Sequence, residues 1–240
     1  MFLTFKKWTL LYIICLILLF AGFAAILWQG SAAQASRNLV LKEGGQAVLV
    51  IDPGHGGEDG GAVAADGTVE SQINLAIACQ MEEIARLLGI EPEMTRREDI
   101  SIYSEGSETL RQKKVSDLKN RVSLINDIPG GVLISIHQNS MPTAPSVRGA
   151  QVFYNSVSSS EELAQAVQDV LNAAINGPDN AKAAKQIGES IYLMKNVTVP
   201  AVLVECGFLS NAQETALLNT QSYQTKLAVT ILSAALAHLQ

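Results

Sequence analysis

Apolar and polar positions follow two rhythms along this chain. Residues 48–51, Val-Leu-Val-Ile, form an unbroken apolar run that Pro53-Gly54 stops, the pattern of a buried strand. Ile73, Ile77, Ile84 and Leu88 recur at helical spacing, which predicts a helix over 71–88 closed by Gly89. Residues 90–95 predict a second strand, and the polar stretch 101–109 predicts an irregular loop over a site. Val115, Leu118, Val122 and Ile125 predict the next helix, ended by Pro129-Gly130-Gly131. "VLISIH" (132–137) and "GAQVFYN" (149–155) read as strands, and 161–175 as a helix stopped by Gly177-Pro178. Two short strands follow at 190–194 and 201–208, then a C-terminal helix carrying Tyr223, Leu227 and Ile231.

That order predicts an α/β fold: one sheet of about six strands, mostly parallel or mixed, covered by helices on both faces. No internal repeat or second folded domain is visible. The beginning of the chain breaks the pattern. Lys6-Lys7 precede an uncharged, mostly apolar stretch at 8–28, which is about long enough to span a bilayer. Small residues follow (Ser31-Ala32-Ala33-Gln34-Ala35), as a cleavage site would require. The expected organisation is a signal or membrane anchor at 1–35, a tether at 36–46 and the catalytic domain at 47–240. Export is expected, with the anchor retained rather than cleaved.

Charge and cysteine content narrow the partners. With 17 basic against 23 acidic residues the chain carries a net charge of −6, and Lys6 and Lys7 belong to the leader, so the body is more acidic still. Nucleic acid is not expected as a partner. Cys15, Cys79 and Cys206 all lie in apolar surroundings and predict free thiols rather than a disulfide framework.

The chemistry collects at strand ends. His55 follows the first strand in "VIDPGHGGEDGGA", His137 ends "VLISIH", and Glu205 lies near the end of "AVLVEC". Ligands of open α/β sheets bind at those carboxyl ends. Two histidines arriving there make a zinc site plausible, and a third ligand is needed. Glu58, Asp59, Asp66 and Glu70 are candidates, although an acid at a helix start such as Glu70 is also favoured by the helix dipole alone. Asp52 could support His55 or cap a turn. Glu205 interrupts a run too apolar to bury an unpaired charge, so it either pairs with a cation such as Arg96 or Arg121 or faces a polar site. His238 reads as a surface residue.

Four separated segments carry a resemblance: "VIDPGHGGEDGGA", Glu70 in "VESQINL", "SIHQNS" and "LVECGFLSN". In this order and spacing the chain from Val48 onward resembles the zinc-dependent N-acetylmuramoyl-L-alanine amidases of bacterial cell walls. The resemblance implies that His55, Glu70 and His137 bind Zn²⁺, and that Glu205 is catalytic, serving as general base and then general acid. It thereby selects Glu70 among the four acids. The implied substrate is peptidoglycan, cut between the lactyl group of muramic acid and L-alanine. "DLKNRVSLIN", "ESIYLMKNVTVPAVLVECGFLSN" and the polar stretch 103–114 are similar to the germination-specific, spore-cortex branch. That branch removes stem peptides so that muramic-δ-lactam can form with a separate deacetylase. An accessory protein is a further expected partner.

Three more positions are weaker candidates. Asn74, one turn after Glu70, could face the site or solvent. Arg96 could orient Glu205 or substrate, or be an ordinary surface cation. Asn139 could order the turn after His137 or meet substrate. Two rival functions stand beside the amidase: a zinc peptidase or carboxypeptidase acting within the stem peptide, and a non-catalytic, membrane-tethered wall-binding module. The second is disfavoured because both tryptophans, Trp8 and Trp28, flank the leader's apolar stretch and leave the body none for sugar stacking.

Overall fold

The computed structural model describes residues 47–188 and 190–238. The expected anchor (1–35) and tether (36–46) lie outside the described residues. Among the described residues no helix is long and apolar enough to cross a membrane.

Six strands, β1 (Val48–Pro53), β2 (Glu93–Met94), β3 (Gly131–Asn139), β4 (Gln151–Tyr154), β5 (Lys185–Gln186) and β6 (Ala201–Phe208), form one sheet in the order β2-β1-β3-β6-β4-β5. The run β2-β1-β3-β6 is parallel, and β4 joins β6 antiparallel. The sheet is therefore mixed, within what the order of elements predicts.

Side chains alternate across each strand with period two, and the two faces collect different residues. Leu49 and Ile51, Ile134 and Ile136, and Val202 and Val204 face one core. Helices α1 (Glu70–Leu87), α3 (Ser160–Leu171) and α6 (Gln221–His238) contribute to it through Ile73, Ile77, Leu163, Val167, Leu227 and Ile231. Val50, Leu133, Ala201 and Leu203 face a smaller core closed by Ile125 of α2 (Leu110–Asn126) and by Leu193 and Met194 of α4 (Tyr192–Asn196). Covering helices on both faces explain why the strands read as continuous apolar runs.

Three local outcomes differ from the sequence reading. Residues 190–194 supply the start of helix α4 rather than a strand. The sixth strand is instead Lys185–Gln186, two exposed residues on the sheet edge. A short helix, α5 (Ala212–Leu218), lies in a stretch the periodicity left unassigned. Its start carries a clear chemical mark, since the Asn211 side chain accepts from the backbone N–H of Gln213 and Glu214. The stretch 101–109 is irregular, as expected. It packs on the glycine-rich loop, where Ser101 Oγ donates to the Gly56 carbonyl, rather than over the cleft.

Candidate active site

On the smaller-core face the strands turn polar toward their carboxyl ends. Val50 gives way to Asp52 in β1, Leu133 to Ser135 and His137 in β3, and Leu203 to Glu205 in β6. His137 and Glu205 are register partners on adjacent parallel strands, so both project from the same face of the sheet. His55 comes from the loop just past β1, and Glu70 from the first residue of α1. The four line one cleft of about 450 Å³, walled on one side by Lys114 and Leu118 and on another by Ile191, Tyr192 and Leu193.

Glu70 is the centre of this group. Its Oε1 lies 3.0 Å from His137 Nδ1 and 3.3 Å from His55 Nε2, and it also accepts from the backbone N–H of Gln138 (3.1 Å) and from Asn74 Nδ2 (3.3 Å). Its Oε2 accepts from the N–H of Ala62 at 2.8 Å. Burial alone would raise the Glu70 pKa, but the two imidazoles hold the carboxyl far below the usual carboxylate range. Burial would likewise lower the His55 pKa, yet the hydrogen bonds and charges of Asp59 and Glu70 raise it to about 9.

Space for this cluster is kept by missing side chains. A Cβ at Gly54 would stand 2.2 Å from the His137 ring, and one at Gly61 would stand 2.5 Å from Glu70 Oε2. Gly61 also has φ +72°, a conformation costly for any other residue. The loop's carbonyls are captured by two buried guanidiniums. Arg96 donates to Pro53 O, Gly54 O and Ser71 O, and Arg121 donates to Pro53 O and His55 O. His55 itself sits at φ 61°, an unfavourable region for a non-glycine residue, and the 2.7 Å bond from Arg121 to its carbonyl helps hold it there.

Arg121 is charge-balanced by Asp52 (2.7 Å) and Asp117 (2.8 Å). Asp52 also accepts from Thr95 and Ser135, each at 2.6 Å. Burial opposes its ionisation, but Arg121 and the two hydroxyls lower its pKa to about 2.

Glu205 has no such support. Its Oε2 is buried and has no hydrogen-bond partner among the described residues. Burial pushes its pKa up to about 7, an effect the Glu70 charge reinforces and the two histidines oppose. A desolvated carboxyl that is half ionised near neutrality suits proton transfer.

The weaker candidates separate. Asn74 is fully buried and faces the site, tying Glu70 to Gly54 O and accepting from Gln138 Nε2. Asn139 lines the cleft, where its side chain accepts from the N–H of Ser140, ordering the turn after β3. Arg96 is 3% exposed and bonds only backbone carbonyls, so it is neither a surface cation nor a partner of Glu205. Arg121 does not pair with Glu205 either. Glu58 pairs with Lys113, and Asp66 caps its own turn through Thr68 N–H. Asp59 bonds the outer nitrogen of His55, and His238 ends α6, half-buried and outside the cluster. The sequence reading did not single out Gln138 or Asp117, and the signal for the latter was an acid four residues before Arg121 on one helix.

His55, Glu70 and His137 each offer one ligand atom, and these atoms lie within 4.8 Å of one another. Two imidazoles and one carboxylate are a zinc donor set, and the Cβ-free walls at Gly54 and Gly61 leave the donors room to converge. The residues present therefore fit a divalent zinc ion.

A family model described as N-acetylmuramoyl-L-alanine amidase matches residues 49–237. The germination-specific N-acetylmuramoyl-L-alanine amidase of Bacillus subtilis is 37% identical over 184 residues, covering 77% of this chain and 76% of its own. The amidase AmiA of Escherichia coli is 28% identical over 265 residues, covering 88% and 86%. Among solved structures, the CwlD amidase of Clostridioides difficile, determined in complex with the GerS lipoprotein, is similar with a TM-score of 0.76 and 37% identity. The match covers 80% of this chain and 98% of that one.

Proposed function

The chain belongs to the N-acetylmuramoyl-L-alanine amidase family and is a peptidoglycan amidase, and we propose that it works with zinc held by His55, Glu70 and His137. One observation carries the reading: Glu205, half-buried and with its buried Oε2 lacking a hydrogen-bond partner among the described residues, shares a cleft and a sheet face with a two-histidine, one-carboxylate cluster.

Zinc at this site supplies Lewis-acid chemistry, polarising the scissile carbonyl and acidifying water near it. Glu205 takes the proton of the attacking water at its carboxylate, then delivers it to the departing amine of L-alanine. Its raised pKa makes both transfers accessible near neutral pH. Asn74 and the Gln138 N–H hold Glu70 in place, and Arg96 and Arg121 hold the backbone that presents His55. The glycan stays intact and the peptide leaves.

The peptidase rival is disfavoured by the family match, and the binding-module rival by Glu205, because a pure binder has no use for a desolvated proton acceptor. Mass spectrometry of digested peptidoglycan tests this: intact stem peptides beginning with free L-alanine support the amidase, and shortened stems on muramic acid refute it.

We extend the proposal to the spore cortex, with action outside the cytoplasm, on the strength of the Bacillus subtilis relative. An accessory protein is part of the proposal, since the Clostridioides difficile amidase was determined with a lipoprotein. Cortex lacking muramic-δ-lactam in a deletion strain supports the role; normal δ-lactam content refutes it.

A further inference from the structure

His55 is held from both sides. Its Nε2 faces Glu70 Oε1 at 3.3 Å, inside the cluster, whereas its Nδ1 lies 2.9 Å from Asp59 Oδ2, outside it. Asp59 is itself fixed. Its backbone pairs with Gly56 through reciprocal hydrogen bonds of 2.8 and 3.2 Å, closing the turn that follows the histidine. Its carboxylate meets Lys114 Nζ of α2 at 3.1 Å (Oδ2) and 3.2 Å (Oδ1).

A neutral imidazole has one N–H and one lone pair, and a carboxylate only accepts. A metal ligand needs its lone pair on the nitrogen that faces the ion, which here is Nε2. We propose that Asp59, anchored by Lys114, is the positioning residue that keeps the His55 proton on Nδ1 and so presents Nε2 to the zinc. The inference rests on the metal reading above and assigns Asp59 a role toward that ion without making it a ligand. An acid on the far nitrogen orients a ligating histidine and strengthens it as a donor.

Glu58 provides the control. It is the neighbour of Asp59 in the same loop and is tied to the same helix through Lys113, but it does not touch His55. The test compares wild type, Asp59→Ala, Asp59→Asn, Lys114→Ala, Glu58→Ala and His55→Ala. Zinc dissociation constants are read by competition with a chromophoric chelator, and ring protons by long-range ¹H–¹⁵N NMR of the zinc-loaded proteins. Asp59→Ala is expected to weaken zinc binding about 10- to 100-fold. Asp59→Asn, which keeps an acceptor, should fall between that variant and wild type, and Lys114→Ala should lose less than Asp59→Ala. Glu58→Ala should bind as wild type does. The slowly exchanging His55 Nδ1 proton should persist in wild type and Glu58→Ala and vanish in Asp59→Ala.

An unchanged dissociation constant in Asp59→Ala, or an equal loss in Glu58→Ala, overturns the positioning role while leaving the zinc reading intact. Equal zinc binding by wild type and His55→Ala overturns the metal reading, and this inference with it.

Discussion

His137 and Glu205 stand opposite each other on adjacent parallel strands, one bound to Glu70 and the other with a buried oxygen that no hydrogen bond reaches among the described residues. The sheet thus delivers a ligand candidate and a candidate proton acceptor to the same place, on the two strands that form its centre. Their separation of roles is directly testable.

Glu205→Gln keeps the shape and removes the titrating oxygen. The variant should retain wild-type zinc content by atomic absorption while kcat falls by about 10²- to 10⁴-fold. Full turnover with bound zinc would dismiss Glu205 as the base.

Zinc affinity should depend on pH through His55. In the metal-free protein that imidazole is protonated below about 9, because Asp59 and Glu70 outweigh its burial. A ligating histidine must be neutral, so each pH unit below 9 should weaken apparent affinity about tenfold. Chelator competition from pH 6 to 9 measures the slope, and a flat profile would contradict it. Exhaustive chelation should abolish activity, and added zinc should restore it.

Gly54→Ala inserts a methyl group 2.2 Å from the His137 ring. The chain should still fold, since β1 and its hydrogen bonds are untouched, but the ring must move. Zinc binding should drop by at least about tenfold, comparable to losing a supporting contact of a ligand. Circular dichroism and metal titration on the same sample separate this from unfolding.

Asp52 links stability to acid. Its pKa is about 2 in the folded protein against 3.8 ordinarily, so its ionised form favours the fold. That contribution, about 2 kcal/mol, is fully present above pH 4 and is lost as pH falls through 2. Asp52→Asn should flatten acid unfolding in that window. At pH 7 it should cost about 3 kcal/mol, because Arg121 stays buried with only Asp117 opposite. Urea unfolding at both pH values gives the comparison.

The sheet and the cluster were legible in the sequence for one reason: each central strand is an apolar run whose first titratable residue marks its end. His137 and Glu205 announce themselves that way, whereas in β1 the first such residue is Asp52 and His55 follows three residues later in the loop. Glu70 did not, because an acid at a helix start has an ordinary electrostatic explanation, and only the match of separated motifs distinguished it from Asp59. Arg96 was illegible because a "TR" after a strand says nothing about burial, and its partners in the glycine-rich loop, Pro53 O and Gly54 O, lie about forty residues away. Residues 190–194 misled because five residues are too few to show a period, so the apolar content of Ile191, Leu193 and Met194 suited strand and helix alike. Lys185–Gln186 is exposed and polar, and its pairing comes from the neighbouring β4 rather than from any pattern of its own.

The capture of Pro53, Gly54 and His55 carbonyls by Arg96 and Arg121 has a corollary. Those acceptors are met by guanidiniums from elsewhere in the chain, so the turn is closed by side chains that the loop itself does not supply. The pose of the histidine is therefore set by residues far from it in the chain.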